Sequence, residues 1–409
     1  MRRALAAAGA TLLLFGTFGT HAAESEGEKD FAASKGSAAE EQLQARLKSA
    51  VRTIPGTDTQ YFIGGYLQLD AQATRSRQVG DEQDTFFVSA TPFGAADSDA
   101  RLSVRQSQFN WLSRTPTGIG EVWTRLEANL FPLDGTTALT LNQLFVKVDD
   151  WLIAGKTYST FMDDGALPTT ADYNGPSGVT FVRQWLVRGS LPLGRGWALE
   201  GAVEESQADF AAGGAALALQ TSASRPDLAA RVRYEGDGGH FQLAGLSRRI
   251  GVTVTGPAGT VERDVDGSGV SVSGSLAAFG EDTLLFQAAS GKGIGRYFND
   301  PLSATGVALG ANGQLDLVRS TGVTLYYQHQ WSPDWMSVAG ASTLAVTDED
   351  VQRRPEELRR VVYASANLLH RLKPQLIVGG ELLWGEATRV DGATATNARL
   401  QLSARYLLF

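Results

Sequence analysis

The last twelve residues read Ala398-Arg399-Leu400-Gln401-Leu402-Ser403-Ala404-Arg405-Tyr406-Leu407-Leu408-Phe409. Polar and apolar side chains alternate along them up to a terminal phenylalanine. A period of two is the spacing of a strand with one wet and one dry face. At the other end, Arg2 and Arg3 precede an apolar run from Ala4 to Phe18, and Thr20-His21-Ala22 offers small residues for cleavage after Ala22. That pattern predicts a secretory signal peptide over 1–22. An exported chain that alternates up to a closing aromatic residue is expected to be a transmembrane antiparallel β-barrel of the bacterial outer membrane, all-β in class.

Composition agrees with this expectation. After residue 22 no run of 18 apolar residues occurs, so no transmembrane helix is expected. Mean hydropathy is near neutral, at −0.12. A barrel accounts for that, because only alternate residues of each strand face lipid. The chain has no cysteine, which excludes thiol catalysis and Cys-ligated metals. The fold must then be held by backbone pairing and closure. A net charge of −8 argues against nucleic acid as a partner.

Residues 23–59 are polar. Leu43, Leu47 and Val51 recur at i, i+4 and i+8, which predicts a short periplasmic helix ended by Pro55-Gly56. From Gln60 the period becomes two, and the barrel is expected to occupy 60–409. Leu67, Leu69, Ala71 and Ala73 alternate with Gln68, Asp70, Gln72 and Thr74. Val362, Ala364, Ala366 and Leu368 alternate with Val361, Tyr363, Ser365 and Asn367. The apolar set is assigned to lipid and the polar set to a lumen. About 16 such segments follow one another, an even number as in bacterial barrels. Their connections alternate between short turns rich in Gly, Pro and Asp, expected in the periplasm, and mostly long ones at 76–100, 160–178, 207–226, 255–266, 292–313 and 347–357, expected outside; two outer connections, near 132–137 and 389–393, are short and break the pattern. Trp111, Trp151, Trp197, Phe279, Trp331, Trp335 and Tyr406 fall at strand ends, as an interfacial belt requires.

Arg125, Arg231 and Arg233 have clear inward parity, and Lys147 joins them if its strand alternates regularly. Basic side chains in a narrow lumen attract anions more strongly than in bulk water. Glu127 and Glu235 stand ready to neutralise them. The long third connection carries Asp163, Asp164 and Asp172; folded inward, it would set these acids against the basic wall. Acidic clusters at Asp81-Glu82-Asp84 and Asp348-Glu349-Asp350 are expected to be solvated charge, with no metal assigned. No cofactor is implied. Only His240, His329 and His370 follow the signal region, two of them at turns, so no Ser-His catalytic arrangement is expected and the chain is read as no enzyme.

Arg105-Gln106-Ser107-Gln108-Phe109, Lys156-Thr157-Tyr158-Ser159-Thr160-Phe161, Gly175-Pro176, Phe181-Val182-Arg183-Gln184 and Val378-Gly379-Gly380-Glu381 resemble the DcaP-like porins of Gram-negative bacteria. That resemblance implies a homotrimer of sixteen-stranded barrels with an N-terminal helical segment. It also implies uptake of small anionic, dicarboxylate-like solutes, and it adds Arg105, Lys156 and Arg183 to the pore candidates. Gln108 and Lys156 depart from the family pattern, where Arg and Gln are expected. The resulting expectation is a water-filled diffusion channel in contact with outer-membrane lipid and lipopolysaccharide. The alternative is a structural or adhesive barrel that transports nothing.

Overall fold

The computed structural model describes residues 49–207, 218–222, 225–256, 259–300, 306–309, 315–347 and 353–408. The expected signal peptide over 1–22, Leu43 and Leu47 of the expected helix, the Asp348-Glu349-Asp350 cluster and Phe409 lie outside the described residues. Residues 49–50 are helical, and Val51 already is not.

Sixteen antiparallel strands form the barrel: β1 (Gln60–Thr74), β2 (Gln108–Thr117), β3 (Gly120–Asn129), β4 (Thr140–Val148), β5 (Leu152–Tyr158), β6 (Arg183–Gly194), β7 (Trp197–Glu204), β8 (Asp227–Gly236), β9 (Gly239–Gly256), β10 (Gly259–Ala277), β11 (Thr283–Lys292), β12 (Arg319–Ser332), β13 (Trp335–Thr347), β14 (Leu358–Lys373), β15 (Leu376–Arg389) and β16 (Thr394–Leu408). Each pairs with the next, and β1 also pairs with β16. Closure satisfies the backbone donors and acceptors that hydrocarbon cannot.

The alternation decides which face is which. Leu67 is 50% exposed while the neighbouring Gln68 is 2% exposed, and the same contrast runs through Leu69 and Asp70. Apolar side chains point out to lipid and polar ones point in. Trp151, Trp197, Phe279, Trp331, Trp335 and Tyr406 are exposed near the short turns, whereas Trp111 is half-buried and stacks on Tyr61.

Two stretches differ from the expectation. Residues 255–266, expected as a loop, belong largely to β9 and β10, which pair continuously to Gly256 and Gly259. The β-branched residues Thr253 and Thr255 before Gly256, and Thr260 after Gly259, carry the pairing outward. Conversely, the strand expected over 101–114 is interrupted. Asp99–Ser103 pairs with the upper part of β1, β2 starts at Gln108, and a tight turn between them closes with Ser107 N donating to Val104 O. Arg105 sits in that interruption.

The lumen is not empty. Connections 75–98, 159–182 and 293–300 fold inward, each with one short 3-10 turn: Val88–Ala90, Asp164–Ala166 and Gly295–Tyr297. Phe86, Val88, Phe161, Ile294 and Tyr297 from these segments share an apolar cluster with Tyr326, Leu344 and Tyr363 of the wall. Burying each such side chain contributes about 1.5–3 kcal/mol, enough to hold a loop inside a wet barrel.

Gly155 of β5 tests the close packing of this wall. Its φ is +139°, and an added Cβ would lie 2.3 Å from Leu144 O and 2.6 Å from Phe145 Cα. Gly155→Ala is expected to cost about 1–3 kcal/mol. The check is the temperature at which the folded form disappears on an unheated-versus-heated gel. An unchanged temperature would show that β4 and β5 can separate without loss.

Candidate functional site

Loop 159–182 crosses the lumen and is tied to the wall on opposite sides. At its tip Asp163, fully buried, accepts from four directions. Arg233 Nη1 of β8 lies 2.8 Å from Oδ1, and Gly165 N donates to the same oxygen at 3.1 Å. Ser273 Oγ of β10 donates to Oδ2 at 2.7 Å, and His240 Nε2 of β9 lies 2.8 Å from it. Burial would raise the Asp163 carboxyl, but the charge of Arg233 and the contacts of His240 outweigh it and hold the carboxyl well below the usual carboxylate range. The backbone adds to this anchor, since Met162 O accepts from Arg231 Nη1 at 3.3 Å and from Gln242 Nε2 at 3.0 Å.

The returning limb is held differently. Glu381 of β15 accepts from the backbone N–H of Ala171 at 2.6 Å and of Asp172 at 2.9 Å. Asp172 itself accepts from the N–H of Phe86 at 2.9 Å and of Gly175 at 3.1 Å, joining this loop to the loop at 75–98. Burial pushes the Asp172 carboxyl up, opposed by Arg399, 3.8 Å away, and by those N–H donors. Gly178 N donates to Ser342 Oγ, and Thr180 N to Gln287 Oε1, completing the attachment to β13 and β11.

The basic wall faces the tip. Arg188 of β6 and Arg231 of β8 both bind Glu200 of β7, at 3.4 and 2.8 Å. Two guanidinium groups thus share one carboxylate. Arg125 and Glu127, two apart on β3, form a buried pair at 2.6 Å. Asp164 is half-buried beside the tip, and its charge acts on Arg188 and Arg233.

The remaining candidates are scattered. Lys147 lies at the turn end of β4 and pairs with Asp150 at 2.7 Å. Arg105 is buried against the loop at 75–98, with Glu82 at 2.9 Å and Asp84 at 2.5 Å, so these two acids neutralise a cation and do not stand as solvated charge. Arg183 lies over the rings of Tyr158 and Phe181 and reaches Glu127 at 4.0 Å. Lys156 is a correction: it is not in the lumen. Register sets it between Leu144 and Trp185, both exposed on the outer face, and its ammonium donates to Leu141 O at 2.9 Å. Adjacent residues of a strand point to opposite sides, and it is Thr157 that points in, bonding to Gln143.

Several functional residues escaped the sequence reading. Arg188, Glu200, Glu381 and Arg399 all carry inward parity, which was the available signal. His240 was set aside as a turn residue, yet the structure brings Asp163, His240 and Ser275 into one hydrogen-bonded chain, with Ser275 Oγ 2.8 Å from His240 Nδ1. Arg233 and Ser273 share the same carboxylate, so Asp163 anchors the loop to the wall as well as orienting the ring.

A closed sixteen-stranded barrel with an extracellular loop folded across a charged lumen is the architecture of outer-membrane channels. The chain belongs to the porins: the family model described as Porin subfamily matches residues 53–353. Its fold is similar to that of the outer membrane channel DcaP of Acinetobacter baumannii, with a TM-score of 0.76 at 18% identity, covering 88% of this chain and 99% of that one. It is also similar to an anion-selective porin from Comamonas acidovorans, with a TM-score of 0.54 at 11% identity, covering 86% of this chain and all of that one (100%). OmpT of Vibrio cholerae gives a TM-score of 0.51 at 11% identity, covering 87% of this chain and 100% of that one. A search of curated protein sequences finds no match. Family and fold are those of channels.

Proposed function

We propose that this porin is a water-filled diffusion channel for small anionic solutes of the dicarboxylate type. The observation that carries the reading is the convergence of Arg188 and Arg231 on the single carboxylate of Glu200. It sets two guanidinium groups on one directly bound carboxylate on the wall facing the loop tip, with the charges of Glu204 and Asp164 also acting on Arg188. In a low-dielectric lumen such a basic pair favours anions and, with Asp164 opposite, orients polar solutes. The anion selectivity named for the Comamonas porin supports the same direction. In this reading residues 1–22 direct export and are removed, 23–59 form a periplasmic helical segment, and three barrels associate in the outer membrane among lipid and lipopolysaccharide. Lys156, on the outer face, fits a wall covered by a neighbouring copy better than one covered by hydrocarbon.

The test is planar-bilayer conductance of the refolded protein, with the reversal potential measured in a KCl gradient. Stable steps with chloride preference are expected. Potassium preference would overturn the anionic reading and hand selectivity to Asp163, Asp164 and Asp172. The apolar cluster inside the lumen favours a second reading, a structural barrel plugged by its own loops. Absence of conductance from a folded barrel would decide for it.

A further inference from the structure

The anchor of the loop tip contains a residue type that changes charge within the physiological range. Register sets His240 opposite Glu235 of β8 and Ser275 of β10. Both ring nitrogens are engaged: Nε2 lies 2.8 Å from Asp163 Oδ2, and Nδ1 lies 2.8 Å from Ser275 Oγ. A neutral ring with its hydrogen on Nε2 donates to Asp163 and accepts from the Ser275 hydroxyl. When the ring takes a second proton, Nδ1–H donates to Ser275 Oγ and the hydroxyl hydrogen turns away. Neither contact has to break.

The charges around the ring are few. Asp163 and Asp164 come from the loop, and Arg233 and Glu235 come from β8. Arg233 lies 2.8 Å from Asp163 and 2.8 Å from Glu235. From β10 the described residues facing the cluster are the hydroxyls of Ser273 and Ser275. A proton on His240 therefore changes the net charge of this cluster by one unit while the scaffold stays in place. The loop that crosses the lumen reaches this ring: a Cβ added to Gly165 of the loop tip would lie 2.8 Å from His240 Cε1, so the loop backbone rests directly on the imidazole.

We infer that His240 is a specificity-determining residue whose protonation raises the preference of the channel for small anions. The inference rests on the reading of the chain as an ion-conducting channel. Loop opening is not needed for it, because the charge acts on ions through the field in the lumen.

The experiment is the reversal potential in a KCl gradient from pH 8 to pH 5, for the wild-type protein and for His240→Gln. The amide of Gln keeps a donor for Asp163 and does not titrate. The wild-type chloride-to-potassium permeability ratio is expected to rise at least twofold as pH falls, and the variant is expected to show less than half of that change. An equal change in the variant, or none in the wild type, overturns the inference. A second measurement covers a variant that does not fold. Proton NMR follows the imidazole of His240 in the barrel from residue 23 onward carrying His329→Gln and His370→Gln; a ring that takes up its proton between pH 8 and pH 5 supports the inference, and one that does not overturns it. The two readings fail separately. Potassium preference at pH 8 defeats the anionic reading and leaves this inference to the difference between the two pH profiles, whereas absence of conductance defeats both.

Discussion

Asp163→Asn is expected to free the tip of loop 159–182 while leaving the barrel closed. The carboxylate is fully buried and bridges Arg233, His240, Ser273 and the Gly165 N–H. An amide keeps one accepting oxygen and turns a second donor toward donors. Arg233 keeps its ion pair with Glu235. Removing one member of a buried pair costs about 3–5 kcal/mol. That loss falls on the loop and not on the wall, because the strands pair through their backbones. The tip would retain the two bonds to Met162 O. Single-channel records are expected to show larger conductance with rapid fluctuations, while the folded band on gels is unchanged. Wild-type conductance and noise would show that the tip is held without the carboxylate. The pH dependence follows from the sign of the shift. A carboxyl held below its unfolded pKa contributes stability that is fully present above the unfolded value and is lost progressively as pH falls from there through the folded value. For Asp163 that value is well below the usual range. Mild acid should therefore fail to reproduce the variant.

Glu200→Gln has the largest effect expected on selectivity. Glu200 is the one carboxylate shared by Arg188 and Arg231, and all three are buried in the wall. The amide keeps the volume and an acceptor but removes the charge, making the wall around Arg188 and Arg231 one unit more positive. One added charge in the lumen, partly screened by salt, shifts the balance between anion and cation by about 1 kcal/mol, roughly fivefold in the permeability ratio. The reversal potential should move toward that of chloride at every pH. An unchanged potential would place the selectivity elsewhere in the lumen.

These results bear on how the site can be read. Inward parity alone identifies Arg125, Arg231 and Arg233 as lumen residues, because a strand offers only two faces. The same parity names Glu127 and Glu235 as their partners, and both pairs form; it does not reveal that Arg233 also holds Asp163 of the loop. Arg105 and Lys156 enter as pore candidates through the family resemblance and not through parity. Arg105 lies in the turn that interrupts the strand before β2, and Lys156 follows Gly155, whose positive φ marks a distortion of β5. His240 was hidden for another reason: its partner Asp163 lies on a loop 77 residues away.

The fold was determined by the chain's own alternation. Each lipid-facing position must be apolar, each backbone group must find a partner, and each turn must tolerate a tight reversal, so period two and the spacing of Gly, Pro and Asp carry the barrel on their own. The site was decided only by the tertiary structure. The inward path of loop 159–182 depends on Phe161 packing near Ile294 and Tyr297, and on Glu381 receiving the N–H groups of Ala171 and Asp172 from 210 and 209 residues away. Charges so far apart in the chain neutralise one another only after closure brings β8, β9 and β15 around the loop, and no local pattern records which of them will meet.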